Sequence, residues 1–182
     1  LYEMFMGPLT QMKSWSMSGV EGVHRFLGRV WRLYVDPYGY TNDLSDAAPS
    51  PELTRLTHRT IKKVTDHIER MELNTAISAL MIFSNELARE SGDRPRWPME
   101  TLLLLLSPFA PHMTEELWQR IGHDRTLAYE PWPVYDRTQI DDLEVEIAIM
   151  VNGRVKSHLK VGFDWTEEMV EAAVLKDEKI QT

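Results

Sequence analysis

Arg25, Arg29 and Arg32 recur at spacings of four and three residues. On a helix, which turns about 100° per residue, they fall on one stripe, and no acid sits among them. A guanidinium is a planar fork of N–H donors that fits phosphate oxygens two at a time. Three on one stripe suit the grip of a phosphate-bearing surface. A second set, Arg55, Arg59, Lys62 and Arg70, shares a helix face diluted by Asp66, with Lys63 and His67 on its shoulder. A third set, Arg154, Lys156 and Lys160, alternates along a strand-like run, where Glu144 and Glu146 can neutralise it across a hairpin. A solvated helix face carries the same kind of pattern; against that stands the repetition of the stripe on two helices.

The chemistry that is missing narrows the reading. There are no cysteines, which removes disulfides and thiolate metal sites and is compatible with a reducing cytosol. His112 has no second histidine at ligand spacing, and no His-Glu-x-x-His pattern occurs, so no catalytic or metal-binding residue is assigned. The formal net charge is −8. A dedicated nucleic-acid binder carries an excess of Lys and Arg, so any such contact must come from local rows that the total conceals. No signal peptide or membrane-spanning run is found, because Leu102–Leu106 falls far short of the roughly 20 apolar residues that cross a bilayer.

Those rows need a scaffold, and its centre is Leu102–Trp118. The consecutive leucines at 102–106 are apolar all round, which places their helix in the middle of a bundle. Pro108 biases Ser107 away from helical geometry. Pro111 suits the first turn of a new helix, and Glu115 and Glu116 follow in that turn at the positive end of the dipole. This helix runs over Pro111–Ile121 and stops at Gly122. Upstream, Leu1–Met6 reads as a helix tail halted by Gly7-Pro8, and residues 1–18 as a connector from a preceding part of a larger protein. Ser18 caps a helix over Gly19–Val35 with Val23, Phe26, Leu27, Val30, Leu33 and Tyr34 inward. Asp36–Ser50 is a long, mobile loop. Ser50-Pro51-Glu52 opens a helix reaching Met71, with Leu53, Thr57, Thr60, Ile61, Val64, Ile68 and Met71 inward. Asn74 caps a helix over Thr75–Glu90, and Ser91–Pro98 is a turn.

Tyr129-Glu-Pro-Trp-Pro133 excludes regular helix or central strand, so a boundary is expected there, with a bundle over 19–135 and a small unit over 143–182. Val145, Ile147 and Ile149 alternate with Glu144, Glu146 and Ala148; Val155, Leu159 and Val161 alternate with Arg154, Lys156, His158 and Lys160. Both runs read as strands. A two-residue turn at Asn152-Gly153 would mix their faces. A three-residue loop, Val151-Asn152-Gly153 with the glycine left-handed, sets Ile149 opposite Val155, Ile147 opposite Ser157, Glu146 opposite His158 and Glu144 opposite Lys160. A helix from near Thr166 follows. The expected fold class is mainly α: a helical bundle followed by a small α+β unit containing a β-hairpin and a helix. Two strands and one helix are marginal alone, so more strand is expected beyond them.

Ser107-Pro-Phe-Ala-Pro-His-Met-Thr-Glu-Glu-Leu-Trp118 resembles a packing signature in the helical bundle of class I aminoacyl-tRNA synthetases of the leucine, isoleucine, valine and methionine group. Further stretches are similar to leucyl-tRNA synthetases of bacterial type. They are Leu1-Tyr-Glu-Met-Phe-Met-Gly-Pro-Leu9, Gly19-Val-Glu-Gly-Val-His-Arg-Phe-Leu27, Arg29-Val-Trp-Arg-Leu33, His58-Arg-Thr-Ile-Lys-Lys-Val64, Asn74-Thr-Ala-Ile-Ser-Ala-Leu80 and Val151-Asn-Gly-Arg-Val155. The resemblance covers essentially the whole chain, in the family's order. It implies an anticodon-binding-type bundle placed after the catalytic domain, then the beginning of a small C-terminal domain.

It also implies partners: a leucine-specific tRNA and the catalytic and editing domains of the same chain, in the cytoplasm, with no membrane and no DNA. The ATP-site motifs of the class, His-x-Gly-His and Lys-Met-Ser-Lys-Ser, do not occur in these residues. This stretch is therefore expected to hold no cofactor and no catalytic or editing site, while the full-length enzyme uses ATP and Mg. In that family the bundle lies along the tRNA body without depending on the anticodon, which matches residues that grip phosphates and do not specify bases. The tRNA contacts expected are Arg25, Arg29 and Arg32 first, then Arg59, Lys62 and Lys63, and last Arg154, Lys156 and Lys160. Trp15 and Trp31 are able to stack on bases, with core packing the leading expectation for each. Two alternatives stay open: a bundle that serves as a protein-interaction scaffold, and the same domain of an isoleucine, valine or methionine enzyme.

Overall fold

Apolar periodicity becomes helix through most of the first 135 residues of the computed structural model, which describes residues 1–8, 10–90, 94–140, 144–151, 154–162 and 167–174. The chain divides into two units, Leu1–Tyr135 and Asp136–Thr182. Helices of the first are α1 (Tyr2–Phe5), α2 (Met17–Tyr34), α3 (Pro51–Glu69), α4 (Leu73–Arg89), α5 (Arg96–Leu106) and α6 (Pro111–Arg120). The leucine helix α5 packs on α3, α4 and α6, and α4 also meets α1, α2 and α3. Leu102, Leu103, Leu105 and Leu106 are fully buried and Leu104 partly so. The run is apolar on nearly every side because protein surrounds it. Burial of each such side chain contributes on the order of 1.5–3 kcal/mol.

Helix ends obey the chemistry of their neighbours more than the nearest capping residue. Ser50 caps α3 as expected, its hydroxyl accepting from the Leu53 amide at 3.1 Å, with Pro51 at the first position. For α2 the cap is Ser16, not Ser18: Ser16 Oγ accepts from the Gly19 amide at 3.4 Å and lies 2.9 Å from Ser18 Oγ. Asn74 does not cap α4, which starts at Leu73 without a side-chain cap. The cause is the end of α3. Met71 takes a left-handed φ of 58°, its amide donates to the Ile68 carbonyl at 2.9 Å, and the Glu72 amide donates to the His67 carbonyl at 2.8 Å. This Schellman closure turns the chain so tightly that α4 has begun before Asn74. It also sends Met71 outward, 59% exposed, where the periodicity places it inward.

The proline corner behaves differently from expectation on one side. Ser107 keeps helical backbone, φ −55° and ψ −39°, because its amide still reaches the Leu103 carbonyl at 2.9 Å and its hydroxyl the Leu104 carbonyl at 2.9 Å. Pro111 does open α6, and Gly122 at φ 102° closes it with the same two-bond Schellman pattern, Gly122 to Gln119 and His123 to Trp118. His123 then stacks on Trp118, centroids 3.6 Å apart at 5°.

The stretch 36–50 is fastened at several points. Val35 bridges Thr41, and a short strand β1 (Leu44–Ser45) pairs in parallel with β2 (Arg94–Pro95). Of the expected turn Ser91–Pro98, residues 91–93 lie outside the described residues, Arg94–Pro95 is β2, and Arg96–Pro98 is the first turn of α5.

In the second unit, β3 (Glu144–Val151) pairs antiparallel with β4 (Arg154–Gly162), and α7 (Glu167–Val174) follows. Asn152-Gly153 and Thr166 lie outside the described residues. The register corrects the three-residue-loop expectation. Val151 pairs with Arg154 and Met150 with Val155, then a bulge shifts the pairing so that Ile149 meets Ser157, Ile147 meets Leu159 and Val145 meets Val161. One extra residue on β4 restores the face match that a plain two-residue connection destroys.

Candidate nucleic-acid interface

Helix α2 turns Phe26, Val30, Leu33 and Tyr34 into the core and leaves Arg25, Arg29 and Arg32 exposed on its other side. Five carboxylates of the first unit are committed elsewhere: Asp66 to Lys62, Glu86 to Arg89, Asp46 and Glu100 to Arg96, and Glu116 to Arg120. Among the described residues none of the three α2 arginines has an ion-pair partner. The row therefore keeps its full charge at an open surface.

The end of that helix is anchored by residues that periodicity does not single out. The Leu33 carbonyl accepts from Arg94 Nη1 at 2.8 Å and from Asn42 Nδ2 at 3.1 Å. Tyr34, fully buried, donates its hydroxyl to the Met99 carbonyl at 2.8 Å. Burial lifts the Tyr34 phenol well above its ordinary range, Glu100 adds to the rise and Arg94 opposes it, so the tyrosine stays neutral and a donor. Arg96 joins the 36–50 stretch to α6, reaching Asp46 at 2.9 Å and the Ile121 carbonyl at 3.2 Å. Its hydrogen bond with Asp46 raises its pKa further.

The second row is more enclosed. Lys63 and Arg70 are exposed, but Arg55, Arg59 and Lys62 are half-buried. Lys62 pairs with Asp66 at 2.5 Å and lies 5.9 Å from the centroid of the Tyr135 ring. The Trp132 indole N–H donates to Thr65 Oγ1 at 2.8 Å, so the segment after α6 runs along this side of α3. Arg59 Nε is buried and has no hydrogen-bond partner among the described residues. In the second unit Lys156 is exposed. Arg154 and Lys160 are placed by backbone alone, with Lys160 opposite Glu146 and not opposite Glu144, and His158 opposite Ala148 and not Glu146.

Trp15, Glu115 and Glu116 differ from expectation, whereas Trp31 packs against the core as expected. Trp15 is 66% exposed, meets the edge of Tyr2 with centroids 4.8 Å apart and donates its indole N–H to Met17 Sδ at 3.2 Å, so it is not a core residue. Trp31 is half-buried against the core, with the Arg120 guanidinium 5.4 Å from its ring centroid. Glu115 and Glu116 lie in the second turn of α6 rather than its first. Glu115 serves a different element: its carboxylate accepts from the Thr126 hydroxyl and from the Leu127 and Ala128 amides, both at 3.1 Å. The Thr126 hydrogen bond, with those amides, holds its pKa below the usual value.

The arrangement offers one fully open cationic row on a fixed helix, and a second that is open only in part. The family model for the anticodon-binding domain of tRNA ligase matches residues 51–171. Among curated proteins, the chain is 53% identical over 156 residues to the leucine–tRNA ligase of Chlorobium phaeobacteroides, covering 86% of this chain and 19% of that protein. It is 45% identical over 181 residues to the leucine–tRNA ligase of Chloroherpeton thalassium, covering 99% of this chain and 22% of that protein. The chain thus spans about a fifth of the length of the curated relatives it matches. Among solved structures it is similar to the agnB2 LeuRS of Agrobacterium radiobacter, crystallised as a ternary complex with tRNA and LeuAMS, with a TM-score of 0.69, 27% identity, and coverage of 99% of this chain and 25% of that one.

Proposed function

Since the chain belongs to the anticodon-binding domain family of tRNA ligases, we propose that it is the tRNA-docking part of a leucine–tRNA ligase, the cytoplasmic enzyme that attaches leucine to its tRNA at the expense of ATP. The observation that carries this reading is the open row Arg25, Arg29 and Arg32 on a helix whose far end is anchored at Leu33 and Tyr34. Guanidinium groups held this way bind phosphates and fix register. The curated relatives are leucine enzymes, which supports leucine over isoleucine, valine or methionine. Lys63 is the next contact, because Lys62 and Arg59 are partly enclosed. Arg154, Lys156 and Lys160 complete the set from the small unit. Activation of leucine with ATP and Mg, and editing, fall to other domains of the full-length protein.

The test uses the full-length ligase with Arg25→Glu, Arg29→Glu and Arg32→Glu combined. The KM for leucine tRNA should rise by at least about tenfold, as hydrogen bonds to charged groups are lost, while ATP–pyrophosphate exchange is unchanged. Exchange that falls in parallel, or a tRNA KM that does not move, counts against docking and leaves the scaffold reading in its place.

A further inference from the structure

The turn that leaves α2 holds two tyrosines in the open. Tyr38 is 86% exposed and Tyr40 is 74% exposed. The backbone beneath them is fixed. Asp36 Oδ1 accepts from the Tyr38 amide at 2.9 Å and the Tyr40 amide at 2.8 Å. The Asp36 amide donates to the Tyr40 carbonyl at 2.9 Å, and the Gly39 amide to the Asp36 carbonyl at 3.1 Å. Gly39 sits at φ 88°, a conformation glycine adopts without the strain a side chain meets there. Arg120 Nη1 reaches across from α6 to the Gly39 carbonyl at 3.3 Å. The Val35–Thr41 bridge and the Asn42 side chain close the base of the turn. A turn ordered in advance loses little entropy when something binds to it.

We propose that Tyr38 and Tyr40 form a stacking platform for unpaired bases of the RNA whose phosphates Arg25, Arg29 and Arg32 grip. The inference rests on the docking reading and adds to it a contact with bases. Aromatic faces beside a cationic track are the means by which proteins hold unstacked bases. Arg32 lies in the last turn of α2, directly before this turn, and is exposed. That cationic neighbour favours a nucleic acid over an apolar or basic protein partner. The tyrosine ring is also suited to the task, with a wide apolar face and a polar tip that tolerates water.

The experiment titrates the whole chain with a fluorescein-labelled, unmodified leucine tRNA transcript and, separately, with a fully paired RNA duplex. Tyr38→Ala and Tyr40→Ala should each weaken transcript binding by about tenfold, within the range for loss of one base–aromatic stack. Both should leave duplex binding unchanged and the salt dependence of transcript binding unchanged, since no phosphate contact is lost. Tyr38→Phe and Tyr40→Phe should bind as the parent does. Circular-dichroism melts of all four variants should match the parent, as the rings are exposed. Alanine variants that bind the transcript at parental strength overturn the platform even where the arginine variants lose binding. Equal losses on transcript and duplex overturn it as well. Arginine variants with unaltered affinity remove the docking reading itself, and the platform with it.

Discussion

Arg25, Arg29 and Arg32 differ from Lys62 in a way that salt titration can read. Replacing the three arginines with glutamine removes three exposed charges that have no ion-pair partner among the described residues. Each phosphate neutralised on a duplex contributes about 0.9 to the slope of log affinity against log salt. Three contacts therefore contribute about 2.7, and between about 50 and 200 mM salt the parent chain should lose about 40-fold more affinity than the triple variant. Lys62 is already paired with Asp66 at 2.5 Å and lies over the Tyr135 ring. Changing Lys62→Gln together with Asp66→Asn keeps the net charge as it is, and the slope should stay at the parental value. The assay is fluorescence anisotropy of a labelled leucine tRNA transcript across that salt range. A triple variant with the parental slope would refute the reasoning, because the phosphate grip would then lie off α2. So would a Lys62–Asp66 variant whose slope falls as far as that of the triple variant, because enclosure would then not matter.

Two further outcomes follow from the packing of the first unit. Leu103→Ala removes a fully buried side chain from the central helix and should cost about 3–5 kcal/mol of stability, read from the shift in urea midpoint; a loss below about 1 kcal/mol would mean that the site is not tightly packed. Glu115 has a folded-state pKa below its unfolded value, through the Thr126 hydrogen bond first and the Leu127 and Ala128 amides after it. Its contribution is thus present above the unfolded carboxylate pKa and is lost as pH falls towards the folded one. Glu115→Gln should flatten that acid limb in thermal melts, and an unchanged limb would show that the carboxylate does not hold the 127–129 turn.

Local periodicity reads well where one helix face meets one core. Val23, Phe26, Val30, Leu33 and Tyr34 on α2, and Leu53, Thr57, Thr60, Ile61 and Val64 on α3, are buried as their spacing requires. The leucine run is central for the same reason. What spacing does not contain is the contact made by residues far apart in sequence. Nothing near Thr65 announces Trp132, and nothing near Leu33 announces Arg94. This is why the α3 row reads as open from its periodicity and is half-enclosed in the fold. Helix ends fail for a related reason. Asn74 is a good capping residue in isolation, but the closure at Met71 decides where α4 begins. In the hairpin the face argument is sound and the count is not: a bulge adds one residue of freedom, which a strict period of two excludes.

The net charge of −8 and the open row on α2 are compatible for a reason found at the end of that helix. Several acids of the first unit lie three or four residues from their cations, as in Asp66–Lys62, Glu86–Arg89 and Glu116–Arg120, or reach across the loop, as Asp46 does to Arg96. Asp36 stands four residues after Arg32, at the spacing that would quench it were the helix to continue. The helix stops at Tyr34, and the Asp36 carboxylate is turned onto the amides of Tyr38 and Tyr40. The turn that presents the two rings thus also engages the carboxylate that follows Arg32 in sequence. At physiological ionic strength charges separated by more than about 8 Å are largely screened from one another. What a phosphate meets at α2 is then set by the side chains within that distance, where Glu21, one turn before Arg25, is outnumbered by the three arginines, and the more distant acids are compatible with a basic docking row.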